Sequence, residues 1–253
     1  MNSLQDIINT FSPISLKEMD SVKLMNRTDT KFVFKLDQLE LLLPKLREEY
    51  RILDTNGIRS SKYETLYYDT EDYNLYINHQ NNKLNRFKIR VRNYVESNLV
   101  YFEVKFKNNK GRTIKNRVKR QNLNSEFSQR EMNLLTELSS IDPKKLAPKI
   151  WVNYSRTTLV AINSCERVTI DTNLHFINGQ ITKGYNDLVI LEVKQERAKN
   201  SPIITLLKDN FIREGSLSKY CLGIASTVSG IKMNNFKKNL RTINKLLYAT
   251  SVS

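Results

Sequence analysis

Alternation of polar and hydrophobic residues is the strongest pattern in this chain. The segment RFKIRVRNY, residues 86–94, alternates basic and apolar positions throughout. As a strand it would place its basic side chains on one face and its apolar side chains on the other. Its basic positions are Arg86, Lys88, Arg90 and Arg92. YFEVKFK at 101–107 repeats the pattern, so the two segments predict a hairpin that turns near Glu96-Ser97-Asn98.

The same periodicities predict the remaining elements. Alternation predicts further strands at residues 27–36, 62–69, 112–120, 150–163, 166–177 and 187–194. Helical spacing of apolar residues occurs at 3–20, 38–50 and 126–139, and the Ser201-Pro202 dipeptide is typical of a helix start. A lysine-rich helix is predicted from Gly223 to about Tyr248. Roughly seven to nine strands in sequence-adjacent antiparallel pairs, together with these helices, indicate an α+β protein.

The charge balance of the chain is unusual. Its 253 residues contain 41 Lys and Arg against 26 Asp and Glu, a formal net charge of +15. Such an excess implies a polyanionic partner: nucleic acid, an anionic membrane surface or a phosphate-rich ligand. The length and the 40% hydrophobic content fit one large domain or two small ones, and we find no low-complexity linker or repeat.

The scarce residue types exclude several kinds of site. Two cysteines, Cys165 and Cys221, and the lack of a signal peptide favour a reducing cytoplasm, with peripheral attachment at the inner membrane face left open. Two histidines, His79 and His175, argue against a zinc site or a histidine-based triad, and His79 is expected to be a surface or loop residue. The seven glycines form no phosphate-binding loop pattern, so bound phosphate would be held by side chains.

The basic strand faces have two interpretations. For any one strand a charged face in solvent is the ordinary interpretation. Cations on one face repel, however, by roughly 3 kcal/mol for two charges about 6 Å apart at an effective dielectric of about 20. Since several strands share the bias, as at Lys115, Arg117 and Lys119, we favour a bound anion that offsets it. About eight strands can close into a barrel, which would put the basic face inside and helices around the apolar face.

Eight short motifs now resemble a known family. They are RTDTKF at 27–32, YYDTEDYNLY at 67–76, KIRVR at 88–92, FEVKFK at 102–107, YSR at 154–156, RVTIDTNL at 167–174, ILEVK at 190–194 and SKYCLG at 218–223. Each motif is weak alone, but their order over about residues 20–225 is specific. The chain resembles the VTC domain, the polyphosphate polymerase domain of the triphosphate tunnel metalloenzymes, a superfamily that includes the CYTH-type triphosphatases.

The resemblance implies a fold and an activity. The fold is a closed antiparallel eight-stranded β-barrel, the triphosphate tunnel, with helices packed around it. The whole chain, 1–253, would be a single VTC-type domain that ends in a helix at 223–250. The implied activity is transfer of the γ-phosphoryl group of ATP to a growing polyphosphate chain, with Mn²⁺ or Mg²⁺ as cofactor. A membrane partner protein is left open, and no specific nucleic acid is expected.

The resemblance also implies roles for individual residues. The implied catalytic cations are Lys31, Arg90, Arg92, Lys105, Arg156, Arg167 and Lys219. The implied substrate-binding residues are Lys88, Arg117, Lys119, Tyr154, Lys194 and Ser218, with the register at 117 and 119 left open. Glu192 matches the metal-binding glutamate. Arginine gives bidentate contacts to phosphate, and a carboxylate oxygen suits a hard divalent cation.

Two departures from known patterns leave alternatives open. Polymerases of the family read K-F-S-K where this chain has Ser216-Leu217-Ser218-Lys219, so one expected lysine is absent at Ser216. CYTH-type enzymes usually carry E-x-E-x-K on the first strand, of which Asp29 and Lys31 preserve only part. The alternatives are a triphosphatase that hydrolyses triphosphate or nucleoside triphosphate in the same tunnel, and a non-catalytic binder of polyphosphate or RNA.

Overall fold

A computed structural model describes residues 3–21, 28–123, 126–196 and 201–248. Arg27, the first residue of the RTDTKF motif, lies outside the described residues. Within them the chain forms eight α-helices and eleven β-strands, which confirms the α+β class. The helices are α1 Leu4–Asn9, α2 Leu16–Ser21, α3 Leu36–Leu42, α4 Asn74–Gln80, α5 Gln129–Leu138, α6 Pro202–Asp209, α7 Lys219–Thr227 and α8 Lys237–Tyr248.

All eleven strands belong to one sheet. They are β1 Pro13–Ile14, β2 Thr28–Lys35, β3 Tyr50–Leu53, β4 Ser61–Asp69, β5 Arg86–Tyr94, β6 Leu99–Lys107, β7 Thr113–Arg120, β8 Ala147–Ala161, β9 Glu166–Asn178, β10 Ile181–Tyr185 and β11 Leu188–Gln195. Eight of them follow the order β2-β11-β9-β8-β4-β5-β6-β7, all antiparallel. β10 pairs with β9 and β3 pairs with β8, both antiparallel, and the short β1 pairs with β3 in parallel.

Local hairpins and long-range pairs build this sheet together. The predicted β5–β6 hairpin is confirmed, and it turns through a 3₁₀ segment at Val95–Ser97 with Asn98 in the left-handed region at φ 51°. The pairing of β2 with β11 joins segments far apart in sequence and sets Lys31 opposite Glu192. The sequence alone could predict the first pairing but not the second, because only the hairpin is specified by nearby residues.

Helices cover the apolar face of the strands, as expected. Helices α1, α3 and α6 pack on β2, β9 and β11 around Phe32, Phe34 and Leu191, which are all fully buried. Helix α5 contributes Leu135 to a second cluster on the strands of the β5–β6 hairpin. Full burial of side chains of this size is worth about 1.5–3 kcal/mol each. The apolar face is therefore the outer face of the sheet, and the basic face is the inner one.

Apolar clusters close both ends of the inner face. At one end, Ile14 and Met19 from the N-terminal segment pack on Val160 of β8. At the other end, helix α7 packs on the strands through Tyr220 and Ile224, with α8 behind it. Between the two clusters lies a band of charged side chains, which contains most of the residues selected from the sequence.

The prediction of a closed barrel is wrong. Among the described residues, β2 and β7, the terminal strands of the eight-strand path, are not paired with each other. Residues 214 and 215 occupy the outer edge of β2 instead: Glu214 bridges to Phe32, and the Gly215 N–H donates to the Lys31 carbonyl at 2.9 Å. Since those backbone groups are used, β7 cannot add there, and the curled sheet stays open on this side.

Two predicted helices also differ from the structure. The helix expected at 38–50 ends at Leu42 and continues as a 3₁₀ turn, Leu43–Leu46, because Pro44 lacks the N–H that a regular helix needs. The single helix expected from Gly223 is two helices. Helix α7 ends at Thr227, Gly230 adopts φ +72°, and α8 begins only at Lys237. The left-handed glycine reverses the chain so that Phe236 can pack against the α7 cluster.

Candidate functional site

A large cavity opens between the two ends of the curled sheet. Its volume is about 1210 Å³. Its charged walls come from β2, β5, β6, β7 and β11, and α4 and the segment before α7 complete it. The basic lining residues are Lys31, Arg86, Lys88, Lys105, Lys107, Lys110, Arg112 and Lys115, and the acidic ones are Asp29, Glu192 and Glu196. The cavity is therefore strongly cationic, with few carboxylates to balance it.

Glu192 lies in the wall between two lysines. Its carboxylate contacts Lys31 Nζ at 3.2 Å and accepts from Lys194 Nζ at 2.6 Å. The register explains both contacts, because Lys31 is directly opposite on β2 and Lys194 is two residues along β11. Burial alone would raise the pKa of Glu192, but Lys194 and Lys31 outweigh it and hold that pKa well below its usual range. The carboxylate is thus ionised and available as an oxygen ligand.

A second carboxylate, Glu103, orients Arg90. Glu103 is fully buried and accepts from Arg90 Nε at 2.7 Å, and Lys115 of β7 also pairs with it. Arg90 further donates to the Tyr67 hydroxyl at 3.0 Å. Burial opposes ionisation, but Arg90 and the other nearby cations lower the pKa of Glu103 to about 2. Glu103 therefore pairs with cations of both neighbouring strands, β5 and β7.

A third carboxylate, Asp171, holds two predicted cations. It accepts Arg156 Nε and Nη2 at 2.6 and 2.7 Å, and Lys219 at the start of α7 pairs with the same carboxylate. Tyr154 lies beneath both, with Lys219 Nζ 4.6 Å and Arg156 Cζ 5.3 Å from its ring centroid. Cations over an aromatic face gain about 0.5–2 kcal/mol. Asp171, Arg156 and Lys219 therefore form a rigid cluster behind the cavity.

The start of α7 is anchored from two sides. Ser218 caps the helix by accepting from the Cys221 N–H at 3.3 Å, and it accepts from Lys88 Nζ at 3.0 Å. Tyr220, the second residue of α7, donates its hydroxyl proton to the buried carboxylate of Asp69. Asp69 also accepts the Leu75 N–H at the start of α4, so it ties α4 to α7. The sequence analysis did not identify Asp69, because its partners are distant in the chain.

Arg92 is buried between aromatic rings rather than open to the cavity. Its guanidinium lies 5.3 Å from the Tyr63 ring centroid and 5.9 Å from that of Tyr154, and Nε donates to Thr65 Oγ1 at 3.2 Å. Tyr63 and Tyr154 stack at 5.2 Å. This arrangement holds Arg92 beside the Arg156 cluster. Arg90, Arg92, Tyr154, Arg156, Lys194 and Lys219 are not among the residues that line the cavity.

Three further predicted residues do not line the cavity. On β7, Arg117 and Lys119 are exposed, with Arg117 over the Tyr101 ring at 4.6 Å. The basic β7 residue that lines the cavity is Lys115, which was not selected. Arg167 lies at the opposite end of the inner face, where its Nη2 donates to the Met19 carbonyl at 3.1 Å. Arg117 and Lys119 were selected in place of Lys115 because the sequence left the register of this strand undetermined.

The expectation for His79 is wrong. It is half-buried in the last turn of α4 and lines the cavity. Burial and then the charges of Lys88, Arg86, Lys107 and Lys105 lower the pKa of His79 to about 2, so its imidazole is neutral. Its sequence context gave no signal, because the contact depends on how α4 packs beside β5.

The side chains of the described residues offer few ligands for a metal ion. Within the described ranges, no group of three or more His, Cys, Asp and Glu side chains is arranged to hold a metal ion. Glu192, with both oxygens directed at lysines, is a single carboxylate on the cavity wall.

None of the described helices combines the length and apolar composition that a membrane-spanning segment needs.

Comparisons with known proteins place the chain in a family. The VTC domain profile matches residues 26–228, most of the chain. Curated protein sequences give no significant match. A candidate adenylate cyclase from Bacillus halodurans superposes with a TM-score of 0.51 at 15% identity, covering 81% of this chain and 100% of that one. At that identity the similarity shows a common fold alone.

A second solved structure is similar to a lesser degree. An adenylyl cyclase candidate from Hippeastrum, described as having a dominant triphosphatase activity, gives a TM-score of 0.49 at 12% identity. It covers 80% of this chain and 98% of that one, and this TM-score is too low to carry an argument. The family assignment rests on the sequence match, which spans the strands that form the charged cavity. The chain therefore belongs to the VTC domain family.

Proposed function

We propose that this protein is a metal-dependent polyphosphate polymerase that transfers the γ-phosphoryl group of ATP to an inorganic polyphosphate chain. One observation carries the proposal: eight lysines and arginines line a cavity that holds only three acidic residues. A phosphate chain supplies the negative charge that such a cavity lacks. Membership of the VTC domain family supports ATP and polyphosphate as the substrates.

The proposed step exchanges one phosphoanhydride bond for another. A terminal oxygen of the acceptor chain forms a bond to the γ-phosphorus of ATP. The bond from that phosphorus to the β–γ bridging oxygen breaks, and ADP leaves with the electron pair. The protein needs no serine or cysteine nucleophile, because both reacting oxygens belong to phosphates. Its contribution is to position the two substrates and to stabilise the charge on the transferred group.

The carboxylate-held cations suit that contribution. Arg90 is fixed by Glu103 and Tyr67, and Arg156 is fixed by Asp171. A cation whose orientation is set before substrate binds needs little rearrangement in the transition state. Lys31, Lys88 and Lys105 line the cavity itself and are assigned to the substrate phosphates. In this assignment the carboxylates Glu103 and Asp171 orient arginines, and the lysines of the cavity wall contact the substrate.

The residues present fit a divalent metal that is shared with substrate. Mg²⁺ and Mn²⁺ in phosphoryl-transfer sites use one or two carboxylates, with phosphate oxygens and water as the remaining ligands. Glu192 is the residue assigned to hold the metal, because it is ionised and lies on the cavity wall. When bound, the metal would neutralise charge on the β- and γ-phosphates.

Hydrolysis in the same cavity is the second candidate. The observation that favours it is Ser216, which lines the cavity at the position where polymerases of the family carry a lysine. Its carbonyl accepts from Asn239 Nδ2 at 2.9 Å, so the segment is ordered without a cation there. In this case water would attack the γ-phosphorus and orthophosphate would leave the site.

The test is ³¹P NMR of the purified protein with ATP and Mn²⁺ or Mg²⁺. Polymerase activity predicts internal-chain phosphate resonances together with ADP, and their loss on addition of EDTA or in Glu192→Ala. Glu137→Ala, which removes an exposed carboxylate on α5, is the matched control and should leave turnover unchanged. Orthophosphate without chain growth would assign hydrolysis instead. Retention of polyphosphate without any turnover would make the protein a binder and overturn both candidates.

A further inference from the structure

The charges of the residues paired between β5 and β6 change along the two strands. The paired residues on its inner face are, in order, Arg92 with Tyr101, Arg90 with Glu103, Lys88 with Lys105, and Arg86 with Lys107. The first two pairs match a cation with an aromatic ring or a carboxylate. The last two set like charges directly opposite each other, an arrangement that destabilises an antiparallel pair. The four cations Arg86, Lys88, Lys105 and Lys107, called here the mouth cations, therefore form a rectangle of uncompensated charge.

The mouth cations differ from the deeper ones in their partners. Each deeper cluster has its own carboxylate: Glu192, Glu103 or Asp171. Among the described residues, no carboxylate lies within 4 Å of any mouth cation. Lys88 donates to a serine hydroxyl and Arg86 to the Lys83 carbonyl at 2.8 Å. The Nε of Arg86 is buried without an acceptor in this part of the chain, a costly state that a bound anion would relieve.

His79, on the helix α4 that packs beside β5, completes this group. Lys88 and Arg86 face it from β5, and Lys107 and Lys105 face it from β6. The imidazole lines the cavity together with all four mouth cations. A neutral imidazole still donates one N–H, so His79 can bind a phosphate oxygen without adding a fifth charge to the cluster.

Within the mouth cations, Arg86 and Lys107 are separated from the reacting phosphates. Lys88 and Lys105 lie one ladder step from the Arg90–Glu103 pair, and Arg86 and Lys107 lie a further step away, about 7 Å along the strands. Beyond them the β6–β7 turn adds Lys110 and Arg112 at the edge of the cavity. A short triphosphate held at Lys31, Lys88 and Lys105 does not need these outer positions, whereas a long chain passes over them.

We propose that Arg86, Lys107 and His79, with Lys88 and Lys105 beside them, form a docking subsite for the chain phosphates that lie outside the reacting group. The proposal takes the identity of the polyanion from the proposed function. Arg86 and His79 lie outside the eight family motifs, and Lys107, the last residue of FEVKFK, was given no role in the sequence analysis, so the subsite extends the site inferred from sequence. Its consequence is selectivity for long polyphosphate over triphosphate. The rigid aromatic pair Phe87–Phe106 lies on the opposite face of the ladder, so no stacking platform for bases accompanies these cations there.

The test compares two ligands on three proteins, by isothermal titration calorimetry without ATP or metal. The ligands are inorganic triphosphate and long-chain polyphosphate. The proteins are the wild type, Arg86→Gln/Lys107→Gln, and Lys144→Gln/Lys145→Gln, a control that removes two exposed charges away from the cavity. Loss of two charge-assisted contacts should weaken long-chain binding about tenfold or more, and triphosphate binding by less than about threefold. The control should retain both affinities.

The remaining outcomes of these titrations would overturn either the docking subsite or the proposed function. Equal losses for both ligands, or no loss for the long chain, would overturn the docking subsite while the proposed function stands. A single-stranded RNA titrated in the same way serves as a third ligand, and tighter binding of it than of polyphosphate, lost in the same variant, would reassign the subsite to nucleic acid. A wild type that binds neither phosphate ligand would overturn the proposed function and the subsite together. The melting temperature provides a second measurement: it should rise in the double variant, because a like-charge pair is removed.

Discussion

Arg156 on β8 and Asp171 on β9 lie directly opposite each other and form a two-point ion pair, with N–O distances of 2.6 and 2.7 Å. The carboxylate is almost fully buried and also serves Lys219. One acidic residue therefore fixes the orientation of two cations that come from a strand and from a helix start. The strands alone could not achieve this, because Lys219 reaches Asp171 only when α7 packs on the inner face.

Removing this carboxylate should destabilise the fold and favour anion binding in its place. Asp171→Asn keeps the shape of the side chain but leaves Arg156 and Lys219 without a counter-charge. Breaking a buried pair in this way costs about 3 kcal/mol. We expect the free energy of unfolding in urea to fall by about that amount, and saturating triphosphate to restore part of it. Asp209→Asn, an exposed carboxylate at the end of α6, should change neither quantity. Equal stabilities of the wild type and Asp171→Asn would contradict the orienting role.

Acid should destabilise the protein through Glu103. Its pKa is lowered to about 2 in the folded state, from an ordinary value near 4.5. A depressed carboxyl pKa adds stability that is fully present above pH 4.5 and is lost as the pH falls toward 2. The shift corresponds to about 3 kcal/mol. Glu103→Gln should therefore lower stability at neutral pH and flatten its decline between these values, measured by urea unfolding at several pH values. An unchanged slope would place the acid sensitivity elsewhere.

Alkaline pH should weaken polyanion binding through Lys105. Burial and the nearby cations Arg90 and Lys88 lower the pKa of Lys105 to about 8. A bound phosphate favours the charged amine, so binding is strongest below about pH 8 and weakens above it, up to about tenfold per pH unit. Calorimetric titration of triphosphate at a series of pH values measures this slope. In Lys105→Arg the slope should be smaller, since a guanidinium keeps its proton. The same slope in both proteins would contradict the assignment.

Packing of α7 should be sensitive to a single methyl group. A Cβ on Gly223 would lie 2.6 Å from Phe176 Cδ1 and 2.7 Å from Ile150 Cδ1, too close for either side chain to remain in place. Gly223→Ala should cost about 2 kcal/mol of stability despite the better helix propensity of alanine. It should also weaken triphosphate binding, because Ser218 and Lys219 move with the helix. Gly215→Ala, where a Cβ meets nothing within 4 Å, is the matched control. Wild-type stability in Gly223→Ala would show that α7 can shift freely.

Much of the fold was predictable because alternation along a strand directly specifies which residues share a face. The β5–β6 hairpin and its basic inner face follow from residues 86–107 alone. The covering helices follow from the apolar outer face that needs burial. The predictions failed where a distant segment decides the result. Residues 214 and 215 occupy the edge of β2 and keep the barrel open, and Gly230 ends the predicted C-terminal helix early.

The candidate site, like the fold, was only partly predictable from the sequence. The sequence by itself determined the number of cations, their alternation and the motif positions, since charge and period are properties of the local chain. Only the tertiary structure decided which cations have a carboxylate partner. Strand register gives Arg90 to Glu103, the packing of α7 brings Lys219 to Asp171, and the packing of α4 brings His79 to the cavity. Lys219 and Asp171 are 48 residues apart, and the contacts of α4 and α7 depend on several elements packing at once, which no local pattern encodes.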